Sequence, residues 1–493
     1  MSSGGKAPVY AGGPWYVAPT GAAANDCRTP ATACRTIGAA VQKAAGGDTI
    51  HIAAGTYAET LALPRSLTLE GAGAGSTIID GRATGTVMRI SPPAVANLLG
   101  LTIRNGASSG AGGGIQNNGT LTLDASTVVS NTASSGGGIF NAGSLTLRNS
   151  MVVSNTATLG GGIFNQGQLD VDYGTINSNS VTSTSLTGAT AIGGGIYITN
   201  GDVHLRNSSV AFNIAFVPPS CQGSGAVGGG IYVGQGSTLV LSRSTINANR
   251  AEARDSNCGK PGANASAAGG GIANDGYLGL DNSTISDNTA IADTHFDFTA
   301  IMLPVATATG GGIANTGLAY LNSGTISHNA AQASALQDPP IVGEPSIGTE
   351  IASGGGIHSA ANISATLGVT IEMTLLAGNA ATTGPDCNER LSSKGHNLIQ
   401  DASGCTITGT RSTDKTGVNP LLGPLAANSG VTFTHALLPG SPAIDAGGAT
   451  CIATDQRGYH RPADGDGDGN AACDIGAYEV VIPFRYLPLI SRP

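Results

Sequence analysis

The chain has 493 residues, a net charge of −9 and only 11% charged residues, against about 25% in an average domain. Low charge with 40% hydrophobic residues excludes an intrinsically disordered chain, and the lack of a basic patch excludes nucleic acid as a partner. No run of 18 apolar residues is present for a membrane-spanning helix, and the 76 glycines follow no Gly-X-Y period, which excludes collagen.

The N-terminus, MSSGGKAPVY, has no apolar core, so this chain is not expected to carry a signal peptide. Residues 35–45 (RTIGAAVQKAA) form an amphipathic helix pattern, with Ile37 and Val41 one turn apart on one face. Residues 1–48 are therefore read as an N-terminal segment whose helix caps the strand-rich region beginning at residue 49. Residues 49–105 hold short alternating runs: DTIHI, SLTLEG, STIIDG, TVMRI and GLTIRNG. Period-2 alternation in such short runs means short strands.

A repeat then takes over. Gly-Gly-Gly-Ile recurs with its isoleucine at Ile115, Ile139, Ile163, Ile196, Ile231, Ile272, Ile313 and Ile357. An alternating apolar pair follows each copy, as at Leu121/Leu123 and Leu145/Leu147. Next come an apolar residue, two spacers and an asparagine: Asn131, Asn155, Asn179, Asn213, Asn249, Asn288, Asn329 and Asn379. One coil this short cannot bury its own apolar side. Stacked coils can, because each strand pairs in parallel with its equivalent about 4.8 Å away. The expected fold over residues 49–383 is an all-β, single-stranded, right-handed parallel β-helix, with aliphatic stacks inside and asparagine stacks at a corner.

The spacing from the first Gly of GGGI to the repeat Asn is 19, 19, 19, 20, 21, 19, 19 and 25 residues. From that Asn to the next GGGI it is 5, 5, 14, 15, 20, 22 and 25. The coil body is nearly fixed while one corner lengthens, so the insertions should lie side by side on one flank as loops. Eight cysteines in a Lys-poor chain suggest disulfides and an oxidising compartment. Sequence proximity pairs Cys27 with Cys34, Cys387 with Cys405, and Cys451 with Cys473. Neighbouring insertions would bring Cys221 to Cys258.

Residues 384–480 lose the period and read as an irregular C-terminal cap rich in Asp and Gly. Within it, Asp464, Asp466 and Asp468 with Gly469 fit the first half of a D-x-D-x-D-G calcium loop, and Asp474 or Glu479 can add an oxygen. A structural calcium ion is the expected cofactor, against a solvated acidic turn. Residues 481–493 form an apolar tail that fits an edge strand, laid on its own last coil or on a next subunit.

The GGGI and apolar-x-x-Asn repeats of residues 112–381 resemble the GGAI/FxxN repeats of polymorphic outer-membrane adhesins. CRTIGAAVQKAAGGDTIHIAAGTYAE, NPLLGPLAANSG, LLPGSPAIDAG, TDQRGYHRP and DGDGDGNAACDIGAYE together resemble a family of secreted bacterial right-handed β-helix proteins with interchangeable C-terminal anchors. That resemblance implies a pectin-lyase-like fold and an extracellular or surface location; it does not imply an enzyme activity.

The residue after each GGGI should point outward, opposite its isoleucine. Phe140, Phe164, Tyr197 and Tyr232 would then form an external aromatic ladder, read as a sugar-stacking strip or subunit contact, or as plain strand stabilisation. Catalytic signals are weak. The Asn-Thr-Asp, Asp-Asp and Arg-Ile-Lys motifs of hydrolases on this fold do not occur, and Lys260 is the sole lysine of residues 112–380. The acid pairs Asp170/Asp172 and Asp293/Asp297 read as surface charge. The expected function is a non-enzymatic extracellular scaffold, adhesin or head-to-tail filament that binds itself or extracellular glycans. The alternative is a polysaccharide-active lyase or glycoside hydrolase.

Overall fold

The computed structural model of the chain describes residues 12–183, 185, 188–220, 223–256, 264–296, 304–337, 348–360, 368–448 and 450–482. Its coils between Met88 and Ser353 each contribute to three parallel sheets, and the flanking coils to two. In one coil, Ile139–Asn141 and Ser144–Arg148 lie in the broad sheet A, Met151–Val153 in sheet B and Thr156–Leu159 in sheet C. The register superimposes the repeat: Ile115 pairs with Ile139, Ile139 with Ile163, Ile163 with Ile196, and so on to Ile357. These isoleucines are fully buried in one continuous core with the Leu/Val pairs. The fold is a right-handed parallel β-helix.

Two corner devices hold the register. The first is the asparagine ladder. Each Asn Oδ1 accepts both the backbone N–H and the side-chain amide of the preceding ladder Asn, at 2.9–3.0 Å from Asn131 through Asn379. The residue before each Asn sits in the left-handed region, φ 53–58° from Ser130 to His328. That strained turn persists because the ladder fixes the next residue. The last rung, Asn379, hands its two donors to Asp386 Oδ1 at 3.3 and 2.8 Å. A carboxylate suits that end, because the terminal acceptor has no amide to pass on.

The second device explains GGG. The first glycine turns at positive φ (64° at Gly136). At the next two, a Cβ would lie 2.4 Å from Thr156 O (Gly137) and 2.7 Å from Gly162 O (Gly138). Coils approach too closely there for any side chain.

Helix α1, Ile37–Lys43, packs Ile37, Ala40 and Val41 into the core at the N-terminal end. Its Thr36 N-cap accepts from Ala39 N, and the Glu59 carboxylate of the first coil accepts from Ile37 N and Gly38 N. Strand Trp15–Val17 pairs with Thr49–Ile52, so the solenoid starts before residue 49. At the other end, Leu398–Ile399 and Lys415–Thr416 continue sheet B past residue 383.

The described parts of the lengthening insertions are largely strands. Ile214–Ser220, Arg250–Ser256, Thr289–Phe296 and Ala330–Gln337 run outward in register, and Ser224–Val227, Asn264–Ala268, Val305–Thr309 and Thr349–Ser353 return. Together they make a two-layered fin whose interior is mostly alanine, including Ala251, Ala253, Ala290, Ala292, Ala306 and Ala308, with Asp255 and Thr294 buried further out. Alternating alanine lets two sheets close on each other with small side chains only. Glu350 accepts from Ala335 N on the last rung, satisfying a backbone donor. Cys221, Cys258, Lys260 and Asp297 lie outside the described residues.

Residues 420–480 fold back along the outer face of sheet B as a strap instead of sitting on the end. Its hydrogen bonds run up the coils: Gly476 N to Met373 O, Ala477 N to Thr325 Oγ1, Thr284 Oγ1 to Gln456 Oε1, and Thr245 Oγ1 to Phe433 O. Its apolar anchor is near the C-terminal coils, where Leu437, Ala443 and Ile475 meet Leu375 and Leu398. Disulfides join Cys27–Cys34, Cys387–Cys405 and Cys451–Cys473. Among the described residues no helix is long and apolar enough to cross a membrane.

Candidate functional site on the outer face of sheet A

Sheet A has two strand tracks per coil, and a tight turn joins them. Stacked turns form a line between the two tracks, a trough that opens as a cleft at the turns of Gln235, Asp275 and Thr316. Its floor is glycine: a Cβ on Gly143 would lie 2.0 Å from Gly119 O, and one on Gly317 would lie 2.2 Å from Gly276 O. Beneath it a second amide ladder links Asn117 to Asn141 (2.7 Å), Asn141 to Asn165 (2.6 Å), and Asn274 to Asn315 (2.6 Å).

One wall of the trough is the aromatic ladder. Phe140, Phe164, Tyr197 and Tyr232 occupy successive rungs, with ring centroids 5.4, 4.8 and 5.1 Å apart. Phe140 and Phe164 are stacked at 16°, so they cover each other's faces. Phe164 is only 7% exposed. The ladder therefore meets solvent mainly by ring edges, and its first role is to clamp four coils. Phe164→Ala is expected to cost about 2–4 kcal/mol in denaturant unfolding, from lost burial and two ring contacts. A loss below about 1 kcal/mol would contradict the clamp.

At its C-terminal end the ladder turns polar. Tyr232 Oη donates to Asp275 Oδ2 at 2.7 Å, and Thr316 Oγ1 donates to Asp275 Oδ1 at 2.5 Å. Burial, then the Asp275 carboxylate, push the Tyr232 phenol well above its ordinary range, so it stays a donor. Beside this group the trough widens into a cleft of about 490 Å³, lined by Gln235, Ser237, Thr238, Asp275, Tyr277 and Thr316. The widening has a sequence cause: the turn from Ile231 to Thr238 is two residues longer than the next, Ile272 to Tyr277.

The other wall carries charge. Asp124, Arg148, Asp172 and Arg206 alternate in sign on successive rungs of one column, which offsets repulsion between coils. Asp170 meets Arg206 and His204, each at 3.4 Å; away from this face, on the fin, Asp293 lies 3.9 Å from Arg254. Further along, Asp281, Asn322 and Glu372 share that column. Tyr320 Oη donates to Glu372, and Lys394 Nζ lies 4.7 Å from the Tyr320 ring centroid. Burial pushes the Asp281 carboxyl up.

In the strap, Asp464 and Asp466 converge with Asp445, their carboxylate oxygens within 4.8 Å of one another. The Asp445 carboxylate accepts from Gly465, Asp466 and Ala472 N–H groups, which pins the Asp/Gly loop to it. Asp468 is not in this group; its carboxylate accepts from Asn470 N. Asp474 is not in it either. It is fully buried and accepts from Asp445 N and Val480 N. The sequence expectation thus exchanged Asp445, 19 residues before Asp464, for two residues of the same loop.

No known family pattern matches the chain, and no curated protein does. The solved structures to which the chain is similar include three at low identity. A complex of XylC with xylose has TM-score 0.48 and 9% identity, over 94% of this chain and 98% of that one. The pectate lyase Pel9A has TM-score 0.34 and 12% identity, over 94% and 96%. The catalytic domain of a GH87 α-1,3-glucanase, in complex with tetrasaccharides, has TM-score 0.28 and 13% identity, over 74% and 64%. Similarity at this level carries no argument about activity. The fold assignment stands on the parallel register itself.

Sequence reasoning found the aromatic ladder and missed the trough. The signal was present: Asn-x-Gly recurs two residues after GGGI at 117–119, 141–143, 165–167, 274–276 and 315–317.

Proposed function

We propose that this chain is an extracellular β-solenoid that engages glycans along the trough of sheet A without cleaving them, as an adhesive scaffold. The observation that carries this reading is the cleft beside Tyr232, Asp275 and Tyr277, where an aromatic ring, hydroxyls and an amide converge on an open groove. Three disulfides favour an oxidising location. The purified chain is expected to retard in native gels containing polysaccharide while releasing no reducing ends and no unsaturated products.

One feature favours the enzymatic alternative. Asp281 and Glu372 stand two rungs apart, about 9.6 Å at the backbone, near the carboxyl separation of about 6.5–9.5 Å that inverting glycosidases use. Product release that disappears in Asp281→Asn would establish the hydrolase reading and remove the non-enzymatic one.

The strap triad of Asp445, Asp464 and Asp466 offers oxygen ligands only, which suits a hard cation such as calcium. Its role would be to tie the Asp/Gly loop to the turn at residue 445. Chelation is expected to lower the melting temperature by a few degrees, and Asp445→Asn to remove that response. An identical melting curve with and without chelator would eliminate calcium.

A further inference from the structure

Resting on the glycan reading above, we infer that the cleft on sheet A takes a neutral polysaccharide, and that Tyr277 and Asp275 are its specificity-determining residues. Its lining has the composition that neutral sugars require. Tyr277, 37% exposed, presents an aromatic ring at the rim. Gln235 and Thr238 supply an amide and a hydroxyl that both donate and accept, and Thr316 Oγ1, whose hydrogen goes to Asp275, can still accept.

Among the described residues, Asp275 is the sole charged one lining the cleft, and no Lys or Arg lines it. Its carboxylate already receives the Tyr232 and Thr316 hydroxyls, one on each oxygen. Each oxygen keeps a second acceptor site, so sugar hydroxyls can join this fan of donors. A uronic-acid polymer would instead bring carboxylates toward an unneutralised carboxylate, with no cation in the described lining to pair them. Tyr232 is the link to the ladder: its ring ends the aromatic stack and its hydroxyl fixes the rotamer of Asp275.

The floor sets the shape of the ligand. Gly276 and Gly317 lie so close to the turn above each that a Cβ would fall 2.4 Å from Ser237 O and 2.2 Å from Gly276 O. At these turns the floor of the cleft is thus bare backbone, and it fits an extended chain laid parallel to the solenoid axis.

The test is affinity electrophoresis of the full chain in gels containing arabinoxylan, mixed-linkage glucan, galactomannan or polygalacturonate. Retardation by one or more neutral polymers, little changed by about 0.5 M salt, is expected. Tyr277→Ala should weaken that retardation about tenfold and Tyr277→Phe much less. Asp275→Asn should weaken neutral binding and leave polygalacturonate unbound. Retardation by polygalacturonate and by no neutral polymer would overturn the neutral class while leaving the glycan reading standing. No retardation by any of the four would overturn both. Neutral binding unchanged in Tyr277→Ala would place the ligand elsewhere on the solenoid and sink the assignment to this cleft.

Discussion

Asn213→Ala is expected to destabilise the solenoid by about 3–5 kcal/mol, far more than loss of one amide suggests. Asn213 Oδ1 accepts Asn179 N and Asn179 Nδ2, both at 3.0 Å, and Asn213 Nδ2 donates to Ile176 O at 2.9 Å. All of these groups are shut away from water. The substitution therefore takes the acceptor from Asn179 N and from one Asn179 Nδ2 hydrogen, and a donor from both Ile176 O and Asn249 Oδ1, and each buried group left unpaired costs about 1–3 kcal/mol. It also releases the left-handed turn at Phe212. Because each coil touches only its neighbours, the damage should be local. Hydrogen exchange should rise first in the coils around Asn179 and Asn249. Denaturant unfolding within about 1 kcal/mol of the parent would show that the ladder is incidental to register.

The second large effect concerns the strap. Arg461 pairs with Glu479 at 3.1 Å, and both side chains are fully enclosed. Arg461→Met leaves Glu479 buried without its cation, which costs about 3–5 kcal/mol. The expected result is release of the strap from sheet B, read as fast exchange at Gly476 and Ala477, whose amides bond Met373 O and Thr325 Oγ1. Slow exchange at both positions would refute it.

The same network gives the strap a pH dependence. Burial, followed by the neighbouring Glu479, pushes the Asp474 carboxyl from 3.8 up to about 7. The folded state thus prefers the protonated form. Its contribution is fully present below the ordinary carboxyl value and is lost as pH rises through about 7. Asp474→Asn should flatten that decline, as measured by melting temperature between about pH 4 and 8. His435 works in the opposite sense. Burial pushes its imidazole down, so its contribution is present above the ordinary histidine value and lost as pH falls. It sits at the seam, within 2.9 Å of Ser286 Oγ and stacked 5.2 Å from His328.

The parts of the molecule legible in the sequence are those whose partners are copies of themselves. Ile139 meets Ile163, and Asn155 meets Asn179, because a fixed coil length places equivalent residues one rung apart. Periodicity therefore determined the β-helix, the buried aliphatic stacks, the asparagine ladder and the outward column of Phe140, Phe164, Tyr197 and Tyr232. The fin was half legible. Insertion lengths located it on one flank, but its Ala-x-Ala strands looked like loops, because alanine carries little strand signal until two such layers face each other.

What only the tertiary structure decided are contacts between non-equivalent segments. Asp445 joins Asp464, Asp474 leaves them for the interior, and residues 420–480 lie on sheet B instead of the solenoid end. The cleft belongs to this class too, since Gln235, Asp275 and Thr316 come from three coils and converge only where one turn is longer than its neighbours. A repeat written in the sequence fixes what lies one rung away. Contacts across unlike surfaces depend on shape and on which polar groups must be satisfied in the folded chain, and no period encodes them.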